Sequence, residues 1–149
     1  MSTENNTTPE SAVSLRGLAT LTLLADDVPA ARAWYADILG LEPYFQRPDA
    51  ETPAYVEFRI GDHLDELGII DRRYAPPGSS TQPGGAIAHW HVDDVEATIA
   101  ALEAKGATVY MPLTVREAGF VTAAVQDPFG NIIGLMYNPN WLEHSGGQG

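Results

Sequence analysis

Imidazole titrates near neutral pH, so the four histidines are the side chains of this sequence best placed to do chemistry. Two of them, His89 and His91, stand two residues apart within the strand-like run from Ala86 to Val92. On a strand such residues share a face, about 6.5–7 Å apart along the backbone. They could act as acid–base groups, or line a wall as hydrogen-bonding partners. Together with Glu66 they could also hold a divalent metal. His63 falls in a turn between strands and His144 near the C-terminus, so neither strengthens a metal centre. The sequence has no cysteine, which removes disulfides, thiolate nucleophiles and cysteine-based zinc sites together. Gly84-Gly85 and Gly146-Gly147 lack the strand–loop–helix setting of a phosphate loop, and no glycine–serine elbow occurs.

The charge balance narrows the partners. Twenty acidic residues against eight basic ones give a net charge of −12. Such a surface repels nucleic-acid phosphates and anionic lipid, and suits a neutral or cationic small molecule. Hydrophobic residues make up 44% of the chain, enough for a packed core. No apolar run approaches the about 20 residues needed to span a bilayer. Residues 1–14 are rich in Ser, Thr, Asn and Glu, with neither a basic start nor an apolar run; they read as a disordered tail, not an export signal. The expected location is therefore the cytoplasm. Residues 142–149 read as a second flexible tail.

An internal repeat organises what lies between. Asp26-Asp27-Val28 recurs as Asp93-Asp94-Val95, 67 residues further on. Each copy follows an apolar strand-like run, Leu18 to Ala25 and Ala86 to Val92, and opens a helix capped by Asp27 or Asp94. Ala31, Trp34, Tyr35 and Ile38 form the apolar stripe of the first helix, which Gly40 stops. Val95, Ile99 and Leu102 form that of the second, which ends near Lys105-Gly106. Three strand-like stretches follow each helix: Pro43 to Arg47, Ala54 to Ile60 and Leu64 to Ile70, then Thr108 to Leu113, Phe120 to Gln126 and Asn131 to Tyr137. The expected fold is α+β, two tandem βαβββ modules in one domain over residues 15–141. Module one covers 16–71, a Pro/Gly/Ser-rich linker 72–85, and module two 86–141.

Strand parity sorts these residues by face. Leu21, Leu23 and Ala25 pack under the helices, as do Ala88, Trp90 and Val92, and Ile133, Leu135 and Tyr137. Thr20 and Thr22 face a groove, as do His89 and His91, and Ile132, Gly134 and Met136. Trp141 follows the last groove strand, where its ring could cover a flat ligand. Glu57 and Arg59 share a strand face, where an exposed pair contributes little.

The Asp27-Val28 helix ending in Trp34-Tyr35, the Leu39-Gly40-Leu41 that follows, the His89-to-Asp94 strand end and Asp127-Pro128-Phe129-Gly130-Asn131 together resemble the vicinal oxygen chelate superfamily. Its members include glyoxalases, bleomycin resistance proteins and extradiol dioxygenases. The resemblance covers residues 16–141. It implies that the modules close into an incomplete barrel around a groove, and that the protein is a homodimer. It also implies where a metal would sit, on the first and last strands of each module. Seven residues before Asp27 and Asp94, where the family's metal histidines stand, this chain has Thr20 and Ile87. Gly134 takes the glutamate position of the last strand, and Glu66 or Gly68 that of the first module. A divalent metal needs several converging donors, and at best Glu66 remains. The expected function is therefore metal-independent binding, without cofactor, of a small aromatic or cationic molecule in the groove, as in the drug-sequestering members. Thr20, Thr22, Glu66, His89, His91, Gly134, Met136 and Trp141 would line the site. The alternative is a metal-dependent lyase, isomerase or dioxygenase using His89, His91 and Glu66. A metal-free reaction with His91 as base, assisted by His89, stands beside it.

Overall fold

The computed structural model describes residues 13–146. Most of the expected N-terminal tail lies outside them; Val13 to Gly17 are exposed and without regular structure. The first half runs β1 (Thr20–Ala25), α1 (Val28–Leu39), β2 (Phe45–Arg47), β3 (Tyr55–Ile60) and β4 (Asp65–Asp71). The second runs β5 (His89–His91), α2 (Val95–Ala104), β6 (Thr108–Val115), β7 (Val121–Gln126) and β8 (Ile132–Tyr137). A further helix, α3 (Pro139–Gly146), ends the described chain.

Both helices start as their aspartates dictate. The Asp27 carboxylate accepts from the Ala30 N–H and the Asp94 carboxylate from the Ala97 N–H, each at 3.0 Å, satisfying first-turn donors that the helix itself cannot. The two sheets then repeat one plan, β1-β4-β3-β2 and β5-β8-β7-β6, with the first pair parallel and the rest antiparallel. This is the paired βαβββ architecture that the repeat implies. The sheets do not close into a barrel: among the described residues β1 pairs with β4 alone and β5 with β8 alone.

One core joins the halves. Val56, Phe58, Leu67 and Ile69 of the first sheet belong to the same buried cluster as Val125, Ile133 and Leu135 of the second. Helix α1 reaches across. The Trp34 indole N–H donates to the Lys105 carbonyl at 2.7 Å, and the Tyr35 hydroxyl donates to Asp127 at 2.5 Å. Asp127 is 2% exposed, and its other bonds come from the Phe129 and Asn131 backbone N–H groups and the Asn131 amide. A buried carboxylate is tolerable because every lone pair meets a donor.

The C-terminal expectation needs correction. Residues 142–146 continue a helix instead of a flexible tail. The Asn138 side chain caps it by accepting the Trp141 N–H at 2.9 Å, and Pro139 takes the first turn, where a missing N–H costs nothing. No helix among the described residues is long and apolar enough to cross a membrane.

Candidate functional site

Leu21, Leu23, Trp90 and Val92 pack against the core, as parity expects, but they also line a cavity at the junction of the two sheets that Thr20, Glu66, His89, His91 and Met136 border. The register resolves which residue stands opposite Thr20. It is Glu66, while Gly68 pairs with Thr22. Thr20 Oγ1 donates to Glu66 Oε1 at 2.9 Å. At 68 the Tyr55 ring folds over the glycine, so a Cβ there would lie 2.7 Å from its hydroxyl and the ring would have to shift.

Around Glu66 the first sheet gathers hydroxyls and a second carboxylate. Tyr44 OH lies 2.7 Å from Glu57 Oε1 and 3.0 Å from Glu66 Oε2. Tyr55 OH donates to Glu57 Oε2 at 2.7 Å. A phenol carries one proton, so Tyr44 donates to one of its two carboxylates at a time. The Arg59 guanidinium stacks 4.0 Å over the Tyr44 ring, adding a nearby positive charge. The Thr20 hydroxyl and then Tyr44 hold the Glu66 carboxyl below the usual glutamate range. Burial first, and then the bond to Glu57, push the Tyr55 phenol well up. Sequence parity places Tyr55, Glu57 and Arg59 on one face; their convergence with Tyr44 and Glu66 depends on a register that the sequence does not state.

The two strand histidines share a face but not an environment. His89 is exposed. The His91 side chain is only 7% exposed. Its Nδ1 accepts the Asn138 backbone N–H at 3.0 Å, which puts the proton of the neutral ring on Nε2, 3.3 Å from Asp93 Oδ1. Trp141 of α3 stacks on the His91 ring at 4.8 Å with an interplanar angle of 13°. His63, in the β3–β4 turn, meets the other side of this group edge-on to Trp141 at 6.1 Å. Thr22 lies on the same strand face but outside the cavity lining, and so does Gly134.

Gly134 is shut by its surroundings. A Cβ added there would lie 2.6 Å from the Ala88 carbonyl oxygen, 2.8 Å from Ile87 Cγ2 and 3.0 Å from His89 Cδ2. The carbonyl is held in place, accepting the Gly134 N–H at 3.0 Å. The four positions at which a metal would be expected thus present a threonine tied to a carboxylate, that carboxylate, an isoleucine and a closed glycine. Among the described residues no three His, Asp or Glu side chains are grouped as a metal would need, and His89, His91 and Glu66 form no such group. These residues do not fit a metal held in the family's usual manner.

The cavity itself measures about 470 Å³, within the range of small-molecule sites. It takes Thr20, Glu66, His89, His91 and Trp141 on its polar side, and Asp62 and Asp65 at the β3–β4 turn.

Two βαβββ units carrying a shared ligand-sized cavity define the class as a paired-module groove protein. The comparisons give the family. The Glyoxalase/Bleomycin resistance protein/Dioxygenase superfamily profile matches residues 17–135; the chain belongs to that superfamily. Solved structures share the fold. A glyoxalase-related enzyme from Fulvimarina pelagi is 21% identical with a TM-score of 0.65, over 84% of this chain and 90% of its own. Lactoylglutathione lyase from Agrobacterium tumefaciens is 23% identical with a TM-score of 0.63, over 85% and 97%. TioX from Micromonospora sp. ML1 is 18% identical with a TM-score of 0.61, over 81% and 98%. No curated protein matches the chain significantly.

Proposed function

We propose that this protein is a metal-independent binding member of its superfamily, holding a small aromatic or cationic molecule in the cavity between its modules. The observation that carries this is the closure of position 134 by the Ala88 carbonyl. With Thr20 and Ile87 at two further positions, one carboxylate is left where a metal requires several donors. The Trp141–His91 stack supplies a flat aromatic wall. Asp62, Asp65 and Glu66 give the mouth a negative field, and among the described residues no lysine or arginine lines the cavity. The metal-enzyme alternative is weaker, because both His91 nitrogens already have partners.

Isothermal titration against a panel of cationic aromatic antibiotics tests the proposal. The expected result is stoichiometric binding of at least one compound, weakened about tenfold or more by Trp141→Ala. Silence across the panel, together with tight stoichiometric uptake of a divalent metal, overturns it.

The homodimer is part of the same proposal. Strand β6 leaves Val109, Tyr110, Met111, Leu113 and Val115 exposed on an edge, the kind of surface that a second copy covers. Sedimentation of the wild type and of a Val109→Asp, Met111→Asp variant should show a dimer reduced to monomer. A monomeric wild type would remove this part.

A further inference from the structure

The core of this protein is full away from the junction of the sheets and unfilled at it. Val56, Phe58, Ile69 and Val125 are buried. Leu23, Trp90 and Val92 of the strands and Ile38 and Leu39 of α1 pack against this core, yet they remain only partly buried. All five line the cavity. The cavity therefore has walls on both faces of the sheets. Thr20, Glu66 and His91 stand on the groove face, and Leu23 and Val92 on the opposite face, toward Leu39 of α1. A space bordered by both faces of β1 and β5 passes between those strands, and no ladder joins them there. Below the groove it reaches Ile38 and Leu39 of α1 and Thr98 and Leu102 of α2.

Apolar side chains left open to water cost free energy in proportion to their area. The well is lined almost wholly by such side chains, so a hydrocarbon group entering it releases water from the ligand and the wall together. The mouth has opposite chemistry. Asp62, Asp65 and Glu66 sit at one end, with no lysine or arginine among the lining residues to neutralise them.

Resting on the proposed ligand-binding role, we infer that the ligand is an amphipathic organic cation. Its apolar body passes between β1 and β5 into the well under α1 and α2, and its charged end stays at the acidic mouth. No β1–β5 ladder has to break to admit it: the Asn131 amide occupies the edge of β1 at Leu24, and the cavity is lined by Thr20, Leu21 and Leu23 instead.

The probes are hexyl-, octyl- and decyltrimethylammonium, with octyl sulfate as the anionic control, followed by calorimetry and by tryptophan emission, to which Trp90 and Trp141 of the lining contribute beside Trp34. Affinity should rise about fourfold per methylene until the well is full, and octyl sulfate should bind at least about tenfold more weakly than its cationic counterpart. Val92→Trp, which fills the well, should abolish the chain-length dependence. Leu39→Ala, which widens it, should move the optimum to a longer chain and serves if Val92→Trp does not fold. Asp62→Asn with Asp65→Asn should erase most of the preference for the cation. Affinity independent of chain length, or equal binding of the sulfate, overturns the inference. If a planar aromatic cation then still binds against Trp141 and is indifferent to Val92→Trp, the groove role survives alone. If neither kind of probe binds, both fall.

Discussion

The side-chain amide of Asn131 pairs with the backbone of Leu24 as a neighbouring strand would. The Leu24 N–H donates to Asn131 Oδ1 at 3.3 Å, and Asn131 Nδ2 donates to the Leu24 carbonyl at 2.9 Å. One amide thus satisfies both polar groups of a β1 residue on the edge that no strand covers, and it ties the first half to the turn before β8. Asn131→Ala leaves a part-buried donor and acceptor without partners. The expected loss is about 1–3 kcal/mol of folding stability, read as a lowered midpoint in urea at unchanged slope.

The Tyr35–Asp127 bond predicts two effects of different size. Asp127→Ala strips the partners from two backbone N–H groups, an amide and a phenol, and should cost about 3 kcal/mol or more. Tyr35→Phe removes one donor and should cost about 1–2 kcal/mol. The pH dependence has a definite sign. Burial first, then the Asp127 charge, raise the Tyr35 phenol well above its ordinary value of 10.0. A raised value in the fold means that the neutral phenol contributes fully below pH 10. Above that, the unfolded chain ionises while the folded one resists, so stability falls. Denaturation curves from pH 8 to 11 should show a steeper fall in the wild type than in Tyr35→Phe.

Glu66 gives the opposite sign. Its carboxyl is lowered from the ordinary 4.5, chiefly by the Thr20 hydroxyl. The ionised form is the one that the fold favours, so its contribution is present above that value and is lost as pH falls through and below it. Thr20→Val should raise the Glu66 value, visible by NMR titration of the side-chain carboxyl, and should flatten the acid limb of the stability profile. An unchanged titration curve would show that the 2.9 Å contact does not persist in solution.

Position 134 predicts a penalty for the smallest possible side chain. A methyl there meets the Ala88 carbonyl at 2.6 Å, so backbone must move. Gly134→Ala should lose about 1–3 kcal/mol, and Gly134→Glu should not create a metal site. Thermal unfolding with and without added divalent ions checks both, since a metal-bound fold would melt higher with the ion present.

Much of this was legible in the residues. The repeated Asp-Asp-Val marked both helix starts, and period-two alternation sorted Leu21 and Leu23 from Thr20, and Trp90 from His91. Register was not legible. A two-residue slip preserves parity, so the sequence could not choose between Glu66 and Gly68 opposite Thr20, nor foresee that Tyr44 and Tyr55 converge on Glu57. Strand β5 is shorter than its apolar run: His89, Trp90 and His91 pair in register with Gly134, Leu135 and Met136, while Ala88 and Val92 add one backbone bond each to β8 at its ends. Helix α3 carries a sequence signal that the flexible-tail expectation over residues 142–149 leaves unused. Asn138 followed by Pro139 is a cap and first-turn pair, but the segment is short and polar, and its packing against His91 is visible only in three dimensions. The partly empty core left no trace in the pattern either, since Leu23 and Val92 alternate as any buried strand residue would.

The crossing of α1 onto the far half has a bearing on how the two halves could diverge. Were each module a separate chain meeting its twin, every substitution would appear on both sides of the junction at once. Covalent fusion lifts that symmetry: one sheet can keep a carboxylate ringed by hydroxyls while its counterpart drifts to isoleucine and glycine, and the contacts of Trp34 and Tyr35 hold the unlike pair together all the same.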